Sequence, residues 1–211
     1  MCADRGTTSA CGLSGRVEAS TLDRVPRPPR IAPARSILHI TARGNRRQDI
    51  FLDDDDRRWF FLLFEAAVAR FSWTCHAYCF MNNHVHLLLE IRDENLSDGM
   101  QWLLGRYAQD FNWRHGYDGH LFQGRFKSKT VESNWHLLEL SRYIVLNPVR
   151  AGLCKTAADW AWSSYRAAVG TIKAPSFLTL DWLLKQFGHT PETRRASYAA
   201  FVADGTIRAS P

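Results

Sequence analysis

Apolar and polar positions change rhythm along the chain, and those changes mark out the elements. After Pro33 the run Ser36-Ile37-Leu38-His39-Ile40-Thr41-Ala42 has the texture of a strand, and Arg43-Gly44-Asn45-Arg46-Arg47 carries the turn residues that end it. Asp53 to Asp56 offer an N-cap and negative charge to a first helical turn. Phe60, Leu63, Phe64, Ala67 and Phe71 then fall on one helical stripe. Residues 73–80 predict a second strand, Met81-Asn82-Asn83 a turn and residues 84–91 a third strand. Ser97 or Asp98 caps a helix to about Asn112 with an apolar stripe of Met100, Leu103, Leu104, Tyr107 and Phe111, so Tyr107 is read as packing. A loop with Gly116, Gly119 and Gly124 leads to a fourth strand over 125–131. Ser133 or Asn134 starts a further helix, expected to stop at Asn147 because Pro148 has no N–H to give and disfavours helix in the residue before it. The order β-α-β-β-α-β predicts an α+β, ferredoxin-like (split βαβ) antiparallel sheet with helices on one face, plus an extra helix carrying Tyr143. Residues 160–211 show helical fragments at 181–187 and 192–202.

Composition narrows the classes. The 211 residues carry 27 Lys+Arg against 21 Asp+Glu, a net charge of +6 that favours a polyanionic partner. No apolar run approaches the roughly 18 residues of a membrane span, so no membrane partner is expected. Five scattered cysteines without a CxxC argue against a disulfide framework and for a reducing, cytoplasmic setting. Residues 1–34, rich in Ser, Thr, Gly, Pro and Arg, read as a disordered arm.

The third strand carries the chemistry. In His84-Val85-His86-Leu87-Leu88-Leu89-Glu90-Ile91, alternation puts His84, His86, Leu88 and Glu90 on one face and Val85, Leu87, Leu89 and Ile91 on the other. The second set is a core face for two helices. On the opposite, open face two imidazoles about 6.5–7 Å apart along the strand can converge on one cation, although an H-x-H alone more often marks an incidental pair of partly exposed histidines. On the helix after Ser133, His136, Glu139, Tyr143 and Asn147 recur at three- and four-residue steps, so Tyr143 and Asn147 project together. An amide oxygen serves as a third ligand and a phenol beside a bound phosphate as a nucleophile. Periodicity by itself fits better an amphipathic surface helix with a tyrosine half-buried at its edge.

Five blocks then occur in order: Arg43-Gly44-Asn45, Met81-Asn82-Asn83-His84-Val85-His86-Leu87, His120-Leu121-Phe122-Gln123-Gly124-Arg125-Phe126-Lys127, Tyr143-Ile144-Val145-Leu146-Asn147-Pro148-Val149-Arg150-Ala151-Gly152 and Trp162-Ser163-Ser164-Tyr165. Together they resemble the single-tyrosine HUH transposases, in the branch of the REP-associated tyrosine transposases. The resemblance spans about residues 35–168 and implies a catalytic domain there, with 169–211 as a C-terminal helical extension. It implies metal-dependent cleavage and rejoining of single-stranded DNA near hairpins through a 5′-phosphotyrosine. Tyr143 would be the nucleophile, and His84, His86 and Asn147 the ligands of Mg²⁺ or Mn²⁺. Better-known relatives tend to have glutamine where this chain has Asn147. The setting implied is the nucleoid, with a homodimer or a monomer both compatible.

Imidazole suits zinc or iron better than magnesium, but two imidazoles and one amide form a weak site that takes the abundant cation arriving with phosphate. Candidate DNA contacts are Arg43, Arg46 and Arg47 after the first strand, and His120, Arg125, Lys127 and Lys129 around the fourth. The stretch 113–129 also holds Arg114 and interleaves Trp113, Tyr117, Phe122 and Phe126 as stacking platforms for bases. Two other readings share these residues. One is a non-catalytic single-stranded RNA- or DNA-binding module on the same sheet. The other is a zinc hydrolase drawing a third ligand from His39, His76, His115, His120 or His136.

Overall fold

Four segments with strand alternation pair into one antiparallel sheet. β1 (Ser36–Arg43), β2 (Thr74–Phe80), β3 (His84–Ile91) and β4 (Lys127–Thr130) are ordered β2-β3-β1-β4 in a computed structural model that describes residues 32–207. α1 (Asp54–Arg70) connects β1 to β2, and α2 (Leu96–His115) connects β3 to β4. Leu38, Ile40 and Ala42 of β1 and Val85, Leu87, Leu89 and Ile91 of β3 share one core with Phe60, Phe64, Met100 and Leu103 of these helices. This is the α+β, ferredoxin-like arrangement predicted from the element order.

The two helices are tied at one end by charge. Asp53 caps α1 by accepting from the Asp56 N–H at 2.9 Å, and Arg114 at the end of α2 donates to Asp53 and to the buried Asp56. Arg114 is thus a structural cation, committed to α1 rather than offered to a phosphate. Its guanidinium holds the Asp53 carboxyl well below the usual carboxylate range.

The second face of the sheet is less open than expected. α3 (Asn134–Arg150) lies across it, packing Leu137 and Ile144 on Ala77, Cys79 and Leu88. β3 is therefore buried on both faces along most of its length. α3 also runs through Pro148 instead of stopping at Asn147. Proline withholds the N–H that would reach the Ile144 carbonyl, and the Asn147 side chain fills in, its Nδ2 lying 3.4 Å from that carbonyl and 2.8 Å from the Tyr143 carbonyl.

Three other boundaries differ from expectation. α2 starts at Leu96, and its N-cap position, Asn95, makes no capping bond; its side chain instead accepts from Trp73 Nε1 and donates to the Phe71 carbonyl. β4 is shorter than 125–131, because the preceding loop leaves the ladder to bond across the end of β1, with Gln123 N–H donating to Arg43 O and Asn45 N–H to Leu121 O. The arm assigned to 1–34 lies up to residue 31 outside the described residues, and Ala32 is already part of the core.

After α3 come the short helices α4 (Tyr165–Ala168) and α5 (Asp181–Lys185) and the longer α6 (Pro191–Ile207). Tyr198 and Val202 of α6 and Leu183 of α5 form a second core with Val145 and Leu146 of α3. Arg142 of α3 sits 4.3 Å over the Phe201 ring, and its guanidinium pairs with Glu139 at 2.5 Å. The segment after 168 is therefore packed against the tyrosine helix. Among the described residues, no helix is long and apolar enough to cross a membrane, and Cys75, Cys79 and Cys154 are free thiols.

Candidate active site

The register of the sheet gathers the site. β1 pairs with β3 so that Thr41 opposes His86 and Arg43 opposes His84, while His39 and Thr41 face Lys129 and Lys127 of β4. Because side chains alternate, His39, Thr41, His84, His86, Lys127 and Lys129 all rise on the face that α3 crosses. Tyr143 descends onto this group from α3. Its ring lies 5.7 Å from the His86 ring and 6.1 Å from the His39 ring, edge to face in both cases. The phenol itself stays 37% exposed, open to a substrate from solvent.

The histidines are nearly buried, at 9% exposure for His84 and 5% for His86, with ring centroids 4.8 Å apart. Burial, helped by the Arg43 cation, lowers the His84 pKa to about 4. Burial, with neighbouring His84, His39 and Arg43, lowers that of His86 to about 3. His39 falls to about 4 through burial and the nearby Lys129. All three are neutral imidazoles at pH 7, the form that donates a lone pair to a cation.

The turn before β3 fixes one of these rings. Asn83 Nδ2 donates to the Arg47 carbonyl at 2.9 Å, which orients the amide so that Oδ1 faces His84 Nδ1 at 2.6 Å. An amide oxygen only accepts, so His84 carries its proton on Nδ1 and leaves Nε2 with the lone pair. Arg46 and Arg47, in the turn that Asn83 grips, hold left-handed backbone conformations at φ 52° and 63°, a strained geometry for non-glycine residues. Gly44 opens that turn, and glycine is required there: a Cβ would come within 2.1 Å of the Gln48 carbonyl oxygen.

Asn147 lies one helical turn beyond Tyr143. Its amide nitrogen is spent on the Tyr143 and Ile144 carbonyls, which leaves Oδ1 as its free donor atom; no contact joins it to either histidine. Arg150, a further turn along, sits 5.1 Å over the Tyr143 ring. Among the described residues, no three His, Cys, Asp or Glu side chains are grouped to hold a metal. Of the five spare histidines offered as a third zinc ligand, His39 is bonded to His86, His76 to Glu90 and His115 to Asp56, while His120 lines a separate groove. Two imidazoles and an amide oxygen are a different, weaker donor set.

The seven candidate DNA contacts are all exposed, but they divide in two. Arg43, Lys127 and Lys129 share the histidine face of the sheet, and Arg46 and Arg47 lie in the turn that Asn83 holds. His120 and Arg125 instead line a groove of about 720 Å³ between α2 and the loop that follows it, together with Met100, Leu104 and Phe122. Of the aromatic platforms, Trp113 and Tyr117 are exposed, whereas Phe126 is buried in the core. Tyr107 is buried as expected, its hydroxyl donating to the Ile50 carbonyl at 2.5 Å.

Sequence reasoning missed three residues at the site. By sequence His39 is only a spare zinc ligand, Asn83 a turn residue within the histidine block, and Arg150 a member of the tyrosine block with no role of its own. Arg150 had a signal, since a step of seven places it on Tyr143's helical stripe. His39 and Asn83 depend on the register of β1 against β3, which no local pattern prints.

No curated protein matches the chain. Among solved structures, a REP-associated tyrosine transposase bound to a REP hairpin shares its fold, with a TM-score of 0.58 and 17% identity over 72% of this chain and 90% of that one. A chain described as a transposase of Deinococcus radiodurans R1 aligns at 18% identity over 56% of this chain and 95% of that one, but its TM-score of 0.41 carries no argument. The family model described as transposase, IS200-like, matches residues 34–147. That span is more than half of the sequence and takes in the histidine strand, the tyrosine and Asn147: the chain belongs to the IS200-like transposases.

Proposed function

We propose that this transposase cleaves and rejoins single-stranded DNA beside hairpins of palindromic repeats, with Tyr143 as nucleophile. His84, His86 and Asn147 are the ligands of a divalent cation, Mg²⁺ or Mn²⁺. The observation that carries this reading is the meeting of the Tyr143 ring with the His86 and His39 rings within one chain. The neutral state of both histidines, the Nε2 lone pair left on His84 and the free Oδ1 of Asn147 fit such an ion. The relative solved on a REP hairpin supports a hairpin substrate.

When bound, the cation supplies positive charge to the scissile phosphate and to the oxygen that departs. Tyr143 Oη forms the bond to phosphorus as the P–O3′ bond breaks. The phenolic proton passes to solvent, and the departing oxygen takes one up as a free 3′-hydroxyl. In rejoining, a 3′-hydroxyl attacks the 5′-phosphotyrosine and gives up its proton. Tyr143 leaves and regains one, so the bond count is kept without ATP. Arg43, Lys127 and Lys129 hold the flanking phosphates. On this reading residues 35–168 carry the chemistry, the described residues after 168 brace the tyrosine helix, and one copy contains a full site. A DNA substrate assigns the work to the nucleoid.

The test is a labelled single-stranded hairpin incubated with the protein and Mn²⁺, followed by a search for a denaturation-resistant protein–DNA adduct. Wild type forms it and Tyr143→Phe does not. Binding without cleavage in both would favour a nucleic-acid-binding module, and cleavage that persists in Tyr143→Phe would indicate attack by water.

A further inference from the structure

The geometry points to His39 as the positioning residue that fixes the tautomer of His86 and so leaves its Nε2 lone pair free to hold a cation. This rests on the reading of His84 and His86 as ligands. His86 Nδ1 lies 2.9 Å from His39 Nε2, with Thr41 Oγ1 at 3.4 Å on the same nitrogen. The two rings are only 17° from parallel, as suits an N–H···N bond lying in both ring planes. One proton serves this pair of nitrogens. Held on His86 Nδ1 and donated to His39, it leaves His86 Nε2 bare for a cation. Donated the other way, it leaves the His86 proton on Nε2, where it blocks coordination.

For His84 the same choice is already made by Asn83, whose oriented amide accepts from Nδ1. His39 supplies the matching acceptor for His86. Its place explains why it is not a third ligand: the nitrogen that would bind metal is turned to His86, as outer partners of ligating histidines are. The His39 ring also meets Tyr143, edge to face at 6.1 Å, so one side chain sets the ligand's tautomer and the nucleophile's packing.

The test uses the full chain as wild type, His39→Ala, His39→Gln and His86→Ala. Long-range ¹H–¹⁵N spectra of the metal-free protein report which nitrogen of His86 carries the proton. Electron paramagnetic resonance titration gives the Mn²⁺ affinity, and hairpin binding in EDTA serves as the control for an intact surface. In wild type the proton is expected on Nδ1. His39→Ala moves it from Nδ1 and weakens Mn²⁺ binding about 10–100-fold, and His39→Gln, which restores an acceptor, recovers most of that loss. Hairpin binding in EDTA stays unchanged in both variants. Two results would overturn the inference: His86 still protonated on Nδ1 with wild-type Mn²⁺ affinity in His39→Ala, or His39→Gln no better than His39→Ala. Wild-type Mn²⁺ affinity in His86→Ala would instead sink the ligand reading, leaving the metal-free tautomer result to stand by itself.

Discussion

The tyrosine helix is held from behind, and Arg142 is where that hold is tested. Its side chain is 11% exposed, stacks 4.3 Å over Phe201 of α6 and pairs with Glu139 on its own helix. A partly desolvated cation–π contact contributes about 1–2 kcal/mol, and a charge-assisted hydrogen bond in this half-buried setting about as much again. The ion pair to Asp204, at 3.9 Å and with that carboxylate half exposed, adds little. Arg142→Ala is therefore expected to cost about 2–4 kcal/mol, lowering the melting temperature by roughly 5–15 °C for a chain of this size. Arg142→Lys keeps the charge but loses the flat stacking surface, and falls in between. Thermal unfolding followed by circular dichroism measures the shift, and limited proteolysis checks that α6 detaches first. Adduct formation should slow in step, because Val145 and Leu146 next to Tyr143 lose their packing partners on α6. A loss below about 0.5 kcal/mol, the size of an ordinary surface change, would refute the reasoning.

Further outcomes are expected. Tyr107→Phe strands the buried Ile50 carbonyl and costs about 1–2 kcal/mol in denaturant melts, yet leaves adduct yield at the wild-type level, which separates it from Tyr143. Lys127→Ala and Lys129→Ala each reduce the salt dependence of single-strand binding by about 0.7 in log–log slope, measured by fluorescence anisotropy; an unchanged slope removes them from the DNA path. The metal-free protein loses stability as pH falls from about 6.5 toward 4. His39, His84 and His86 take protons at about 4, 4 and 3 when folded but near 6.5 when unfolded, so in that window the unfolded chain binds protons that the folded one refuses. Urea titrations from pH 7 to 5 report this slope, and a flat profile contradicts it.

The sheet and its two core helices were legible because strand alternation and helical stripes are local. The pattern of residues 84–91 separated the histidine face from the core face, and Asp53 capped α1 as its position implied. Where expectation failed, a side-chain bond or a distant partner had intervened. The rule that stops a helix at proline counts a lost bond, but not a side chain such as Asn147 that replaces it. Asn95 is spent on Trp73 and Phe71, residues more than twenty positions earlier, so its cap bond never forms. The covering of the histidine face required α3 to dock on β2 and β3, and the role of residues after 168 required α6 to meet α3. At the site, strand alternation and helical spacing put His84 with His86 and Tyr143 with Asn147, and the roles proposed for them came from the family resemblance. His39 could not be placed this way, because it faces His86 only through the pairing of β1 with β3.

The arginine turn and the first imidazole share a single amide. Asn83 grips the Arg47 carbonyl with one end and His84 with the other, while its own carbonyl accepts from Gly44. If Arg47 contacts a nucleic-acid strand as proposed, that contact is linked through a single planar amide to the His84 ring. On the proposed roles of these residues, backbone docking and the aim of the metal ligand are coupled through that one side chain.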